Sequence, residues 1–195
     1  GEVQYAIELT GNDTNRVVSL MKQLVDEGTK RKGALRFYIS EIGKYGTSSD
    51  LPFLYQKVTT ADYCASATEA ILRIEGLTTN SLTQIMSSLP DSPRGNKKSA
   101  YAWCRILDVV TKSPSGEPIR TFALSNAVQF VSRQTESADW LDRGLIRIEP
   151  PYRMSKRRLA ALRSVQSLGV GEWQTNYIAQ AIRELEAYPE ANLPE

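Results

Sequence analysis

The chain has 195 residues, of which 41% are hydrophobic and 24% are charged, and its formal net charge is +2. This composition is that of a globular protein with a core of its own, and it excludes a wholly disordered chain. The sequence contains no histidine, which excludes Ser-His-Asp and Cys-His catalysis and the usual histidine-containing zinc sites. We therefore expect no metal, no cofactor and no catalytic residue, although carboxylates, lysines and tyrosines leave an enzymatic role open.

Membrane and export signals are the next features to consider. No apolar run approaches the roughly 20 residues that a membrane-spanning helix needs. The first residues lack the basic and apolar regions of a signal peptide. The two cysteines, Cys64 and Cys104, do not suggest a disulfide framework. The sequence therefore predicts an intracellular protein without a membrane contact.

The N-terminal region, residues 1–50, is predicted to be a strand-helix-strand unit. Apolar and polar residues alternate from Val3 to Leu9, which is the period of a half-buried strand. A helix capped by Asp13 or Thr14 follows and ends at Gly28. Alternation between Ala34 and Ile42 predicts a second strand.

Three helices and a hairpin are predicted in the middle of the chain. The helices run from about Thr59 to Gly76, from Ser81 to Pro90, and from Lys97 to about Asp108. The stretch from Val109 to Lys112 is rich in β-formers, residues 113–116 have turn composition, and Pro118 to Leu124 has the pattern of a return strand.

Three helices followed by a hairpin resemble a winged-helix DNA-binding domain, over about Thr59 to Leu124. The resemblance implies a domain over residues 51–124 whose third helix enters the major groove, while the hairpin contacts the backbone or minor groove. The expected fold class is mainly α with small β elements (α+β), with a winged-helix-like middle and a helical C-terminal third.

Residues 125–195 form the predicted helical C-terminal region. Ser125 is expected to begin a helix, and the stretch from Trp140 to Ile148 resembles a helix-to-strand exit, so a second winged-helix-like unit is possible here. A basic helix from Ser155 to about Leu168 and an amphipathic helix from about Glu172 to Tyr188 follow. The tail from Pro189 to Glu195 is expected to be loose.

The charge is unevenly distributed. Between Arg94 and Arg163 the chain carries 14 Lys and Arg residues against 6 Asp and Glu residues. Such an excess is typical of a protein that binds a polyanion, and it fits a mixed, solvated surface about equally well. Two groups of candidate nucleic-acid-binding residues stand out. The first lies on or beside the predicted third helix and comprises Lys97, Lys98, Tyr101, Arg105, Lys112 and Arg120. The second, in and before the basic helix, comprises Arg153, Lys156, Arg157, Arg158 and Arg163.

Each group has two interpretations. Lys97, Tyr101 and Arg105 form one stripe on the predicted helix. The stripe either contacts base edges and phosphates or is a plain helix face in solvent. The second group can bind phosphates independently of sequence, or it can pair with the acidic C-terminal helix of the same chain.

The leading functional prediction is nucleic-acid binding, with recognition of double-stranded DNA favoured, as in a regulator, a replication initiator or the recognition module of a DNA-processing system. One alternative is a helical viral coat or nucleocapsid subunit, located in the virion, that coats nucleic acid. Another is a protein-interaction adaptor. A homo-oligomer is possible under the first two predictions, and the coat requires ordered assembly.

Overall fold

The computed structural model describes residues 2–28, 30–90, 97–112 and 117–195. These ranges contain eleven α-helices and three short 3-10 helices, and they contain no strand. The prediction of a mainly helical chain is confirmed, and the prediction of small β elements is wrong. None of the helices in the described ranges is long and apolar enough to cross a membrane. The chain divides into two compact units, residues 1–90 and 91–195.

The first unit contains six α-helices. They are α1 (Glu2–Leu9), α2 (Thr14–Glu27), α3 (Lys32–Tyr45), α4 (Leu51–Val58), α5 (Cys64–Ile74) and α6 (Thr79–Ser88), with a 3-10 helix at Ser48–Asp50. Each of the middle helices packs against its neighbour in sequence or against the next helix but one, as α3 does with α2 and α5, and α4 with α5 and α6. This pattern is that of helical hairpins stacked on one another.

Two ion pairs show the relative direction of α2 and α4 in the first unit. Lys22 of α2 contacts Asp50 at the start of α4, and Lys57 near the end of α4 contacts Asp26 near the end of α2, both at 2.6 Å. The two helices therefore run in the same direction. Gly43 of α3 lies directly on α5, where an added Cβ would come 2.7 Å from the Cβ of Ala70.

The second unit contains five described α-helices. They are α7 (Lys97–Lys112), α8 (Glu117–Val131), α9 (Ala138–Ile148), α10 (Lys156–Leu168) and α11 (Glu172–Glu186), with 3-10 helices at Pro150–Met154 and Glu190–Asn192. Here α7 packs on α9 and α9 on α11, while α8 packs on α10. The second unit is thus also a two-layer stack of hairpins, with α7, α9 and α11 in one layer.

The predicted N-terminal strands are helices, because the apolar positions fit the helical period as well. In α1, Val3 and Ile7 are four residues apart and buried, whereas Tyr5 is 63% exposed. In α3, Leu35 and Ile39 are buried in the same spacing. Alternation in these stretches was therefore a consequence of apolar residues on both faces, and the strand-helix-strand unit is wrong.

The winged-helix prediction is also wrong. The predicted first hairpin strand, from Val109 to Lys112, continues α7, and Val110 in it is buried on the same side as Trp103. The predicted return strand lies inside α8, Glu117–Val131, which also contains the predicted helix start at Ser125. The intervening turn, 113–116, lies outside the described residues. Burial of an apolar helix face outweighs the weak β preference of valine and threonine.

Trp140 to Ile148 is α9 throughout, so neither a strand exit nor a second winged unit occurs there.

Local signals at helix ends gave mixed results. For α2, the prediction is confirmed: Asp13 accepts a hydrogen bond from the Arg16 amide, and Gly28 adopts the left-handed conformation at φ 62°. The helix predicted to begin at Ser81, α6, begins two residues earlier at Thr79, with Thr78 as its cap and the buried Ser81 hydroxyl as the second member of the capping box.

Candidate functional site

The predicted stripe on α7 is on the surface of the second unit. Lys97, Tyr101 and Arg105 are all exposed, with Tyr101 at 37%. Their exposure follows from the helical period, because Ala100, Trp103 and Leu107 occupy the buried face. The neighbouring residues predicted to flank the stripe differ from one another: Lys112 is exposed at the end of α7, Lys98 is half-buried, and Arg120 donates to the backbone carbonyl of Ile148 at 2.8 Å.

Tyr101 does not stand alone, because α9 brings Trp140 against it. The two rings meet edge to face, with centroids 5.0 Å apart, and Trp140 is 44% exposed. Such an arrangement is favourable because the positive edge of one ring faces the negative face of the other. The contact joins two helices of one layer and leaves much of both rings available to a partner.

Arginines of α9 extend this aromatic pair. Arg143 lies one turn after Trp140, and Arg147 lies one turn further on; both are exposed. The Arg143 guanidinium lies over the ring of Tyr177 of α11, with its carbon 4.5 Å from the ring centroid. Sequence reasoning did not find Trp140, Arg143 or Arg147, although their spacing opposite the buried leucines of α9 is a helical signal that could have found them.

A buried ion pair holds this surface in place from below. The Tyr177 hydroxyl donates to a carboxylate oxygen of Asp142 at 2.7 Å. The fully buried Asp142 also accepts hydrogen bonds from two guanidinium nitrogens of Arg158, at 3.1 and 2.9 Å. Burial and the Asp142 carboxylate raise the pKa of Tyr177, so its hydroxyl keeps its proton as a donor. The hydrogen bond to Asp142 orients the ring of Tyr177, over which the Arg143 guanidinium lies.

We call this surface the aromatic–arginine surface. Its members lie on three helices of one layer and combine large aromatic rings with positive charge: Tyr101, Arg105, Trp140, Arg143, Arg147 and Tyr177, with Lys97 at its edge. Acidic side chains also lie there, since Asp108 and Asp139 are half-buried on α7 and α9. The surface is therefore mixed in sign, with a positive excess.

The pKa of the Cys104 thiol depends on charged side chains of this surface. Burial, and then the negative charge of Asp108, raise the pKa of Cys104 to about 11, against the opposing effects of Arg105 and Arg147. In a Cys64→Ala variant, alkylation of Cys104 at pH 8 should be slower than that of an exposed thiol by about tenfold or more, because the thiolate is the nucleophile. The rate should rise with pH up to about 11. The same variant in urea is the control, and equal rates in the folded and unfolded chains would contradict the assignment.

The second predicted group does not form one exposed cationic surface. Arg158 is buried with Asp142, and Arg157 is paired with Glu149. Lys156 contacts Glu195 at 2.6 Å, and Arg163 contacts Glu186 at 2.9 Å and Glu190 at 3.3 Å. Arg153 is exposed. Four cations of this group therefore have carboxylate partners within the chain.

The first unit presents a shallow groove between α1 and α3. Its volume is about 320 Å³, and Val3, Phe37, Glu41 and Lys44 are among the residues that line it. Phe37 is 47% exposed beside Tyr38. Within the described ranges, no group of three or more Cys, Asp or Glu side chains could hold a metal ion. Comparison with protein families, with curated proteins and with solved structures finds no match for this chain.

Proposed function

We propose that the chain is an intracellular, non-catalytic protein-interaction adaptor that binds a partner protein through the aromatic–arginine surface. The observation that carries this proposal is the Tyr101–Trp140 pair, which is exposed between two helices, with an exposed arginine about one turn further along each helix. Tryptophan, tyrosine and arginine are the residues most enriched at the energetic centres of protein interfaces. Stacked helical hairpins commonly use one face of a layer for such contacts.

Preorganisation adds to this proposal. Tyr177 is held by Asp142, and Arg143 is held over Tyr177, so these side chains lose little rotamer freedom when a partner binds. Long arginines that are not held in this way would oppose binding by their ordering entropy. The surface therefore has both the composition and the rigidity that favour a specific protein contact.

Nucleic acid is the second candidate partner, with DNA favoured, and one observation supports it. Lys97, Tyr101 and Arg105 share an exposed face of α7, and aromatic rings between cations suit stacked bases and phosphates. Two observations weigh against it as the leading proposal. Carboxylates lie within the surface, and four cations of the second group are already paired. Affinity for a polyanion depends on the number of phosphates that are neutralised. The carboxylates in the surface and the pairing of the four cations therefore both reduce the affinity for nucleic acid.

Replacing Tyr101 or Trp140 with alanine should weaken binding of the partner by about tenfold each, which is about 1.4 kcal/mol. The measurement is affinity capture from a nuclease-treated lysate, followed by titration of each captured protein in purified form. Phe37→Ala is the matched control, because it removes an exposed aromatic ring from the first unit. A partner that binds all three variants equally would contradict the proposal.

A titration with duplex and single-stranded DNA at two salt concentrations separates the second candidate. If Lys97→Ala weakens DNA binding and reduces the salt slope by about 1, α7 contacts phosphate, and nucleic acid becomes the leading partner.

A further inference from the structure

The seven residues after Tyr188 do not trail into solvent, contrary to the sequence prediction of a loose tail. They form a 3-10 helix at Glu190–Asn192 and then lie against the start of α10. Leu193 is only 5% exposed. The carbonyl of Pro194 accepts a hydrogen bond from the backbone amide of Lys156, the first residue of α10, at 2.8 Å. A short peptide segment is therefore seated on α10.

Charge complements this apolar anchor on both sides. Glu190 contacts Arg163 at 3.3 Å, and Glu195 contacts Lys156 at 2.6 Å. Because Lys156 and Arg163 are seven residues apart, they lie two turns from each other on one side of α10. The tail thus runs antiparallel to the helix, with an acidic residue before and after the buried leucine.

We propose that this part of α10 is a peptide-binding site for an acidic segment with a central leucine, and that the chain's own tail occupies it. The site is separate from the aromatic–arginine surface, and the proposal is independent of the adaptor function. A segment of a partner protein with the same chemistry displaces the tail and binds in its place. The tail acts as an intramolecular competitor that sets the affinity threshold for that partner.

The contacts of the tail suit a reversible latch. One buried leucine, one backbone hydrogen bond and two exposed ion pairs hold it. Exposed ion pairs contribute little and are screened by salt. A segment with so few buried contacts opens at a small fraction of the free energy of global unfolding. It stays bound because its attachment to α11 keeps its local concentration high.

A peptide fits this site better than a nucleic acid does. Phosphates could replace the carboxylates of Glu190 and Glu195 at the two cations, but they offer nothing for the apolar position of Leu193. Recognition by one buried side chain between two charge contacts also sets a spacing, which gives the site sequence selectivity.

The test uses the full chain and a labelled synthetic peptide with the sequence of residues 186–195. Leu193→Ala combined with Glu195→Gln weakens the latch, and we expect this variant to bind the peptide at least about tenfold tighter than the parent does, by fluorescence anisotropy. Glu184→Gln is the matched control: it removes one negative charge from an exposed side chain of α11 whose hydrogen bond is to Gln180, and should bind like the parent. Tryptophan fluorescence confirms that each variant is folded.

The peptide itself supplies the second arm. A peptide with alanine in place of its leucine should lose binding to the latch variant, and Lys156→Ala in the latch variant should weaken binding of the original peptide. Equal affinity of the parent and the latch variant would overturn the proposal. The proposal would also be overturned if an oligonucleotide displaced the peptide whether or not the peptide carried its leucine. If sedimentation shows that the parent is a dimer and the latch variant a monomer, the tail belongs to a second copy, and occupation by the chain's own tail is overturned.

Discussion

Replacing Arg158 with methionine is expected to lower the free energy of unfolding of the second unit by about 3–5 kcal/mol, the usual cost of removing one partner from a buried ion pair. The side chain of Arg158 is 4% exposed and that of Asp142 is fully buried, at 2.9 Å from each other. Without the guanidinium, the carboxylate stays in a poorly solvated position, where it still accepts the hydrogen bond of the Tyr177 hydroxyl but has lost its charged partner.

Urea denaturation followed by tryptophan fluorescence measures this effect in the second unit alone, since Trp103, Trp140 and Trp173 are the three tryptophans of the chain. Arg163→Met is the matched control, because it breaks exposed ion pairs on the same helix and should change stability far less. Adding Asp142→Leu to Arg158→Met should restore part of the loss, because no charge is then left buried. A double variant as unstable as the sum of the two single variants would refute this account.

Replacing Gly43 with alanine is expected to destabilise the first unit by about 1–3 kcal/mol, although alanine is the better helix former. Gly43 is buried where α3 crosses α5, and a Cβ there would come 2.7 Å from the Cβ of Ala70 and closer still to its Cα. Backbone atoms of α5 cannot rotate away as a long side chain can. The two helices would have to separate, which removes contacts along both of them.

Gly33→Ala provides the matched control within the same helix. No atom lies within 4 Å of a Cβ added at Gly33, which is exposed in the first turn of α3. The substitution should therefore stabilise the unit by up to about 1 kcal/mol. The measurement is the loss of circular dichroism in urea, compared with tryptophan fluorescence, which reports only the second unit. We expect the free energy of unfolding of the first unit to fall with Gly43→Ala and to rise with Gly33→Ala. A rise with Gly43→Ala would contradict this account, because α5 would then have moved to accommodate the added methyl group.

Helix boundaries with their own capping chemistry were predictable from the sequence. Asp13 and Gly28 delimit α2, because a carboxylate can satisfy a free amide at the start and glycine adopts a left-handed turn at the end. The exposed stripe of Lys97, Tyr101 and Arg105 was predictable for a similar reason. A helix with one apolar face must leave the opposite residues in solvent.

The winged-helix prediction failed where a short segment had two compatible periods. Val109 and Val110 favour strands in isolation, but as part of α7 they extend an apolar face that packs on α9. The same ambiguity affected α1, where Val3 and Ile7 satisfy both alternation and helical spacing. Propensity differences of a few tenths of a kcal/mol per residue are smaller than the gain from burying one apolar side chain.

By itself, the sequence determined that the chain is mainly helical, that it has no histidine chemistry, and which faces of the longer helices carry charge. Only the tertiary structure decided which charges meet. It paired Lys156, Arg158 and Arg163 with carboxylates up to 39 residues away, and it brought Trp140 against Tyr101. The physical reason is that periodicity specifies one helix at a time, whereas ion pairs and ring contacts depend on how separate helices stack.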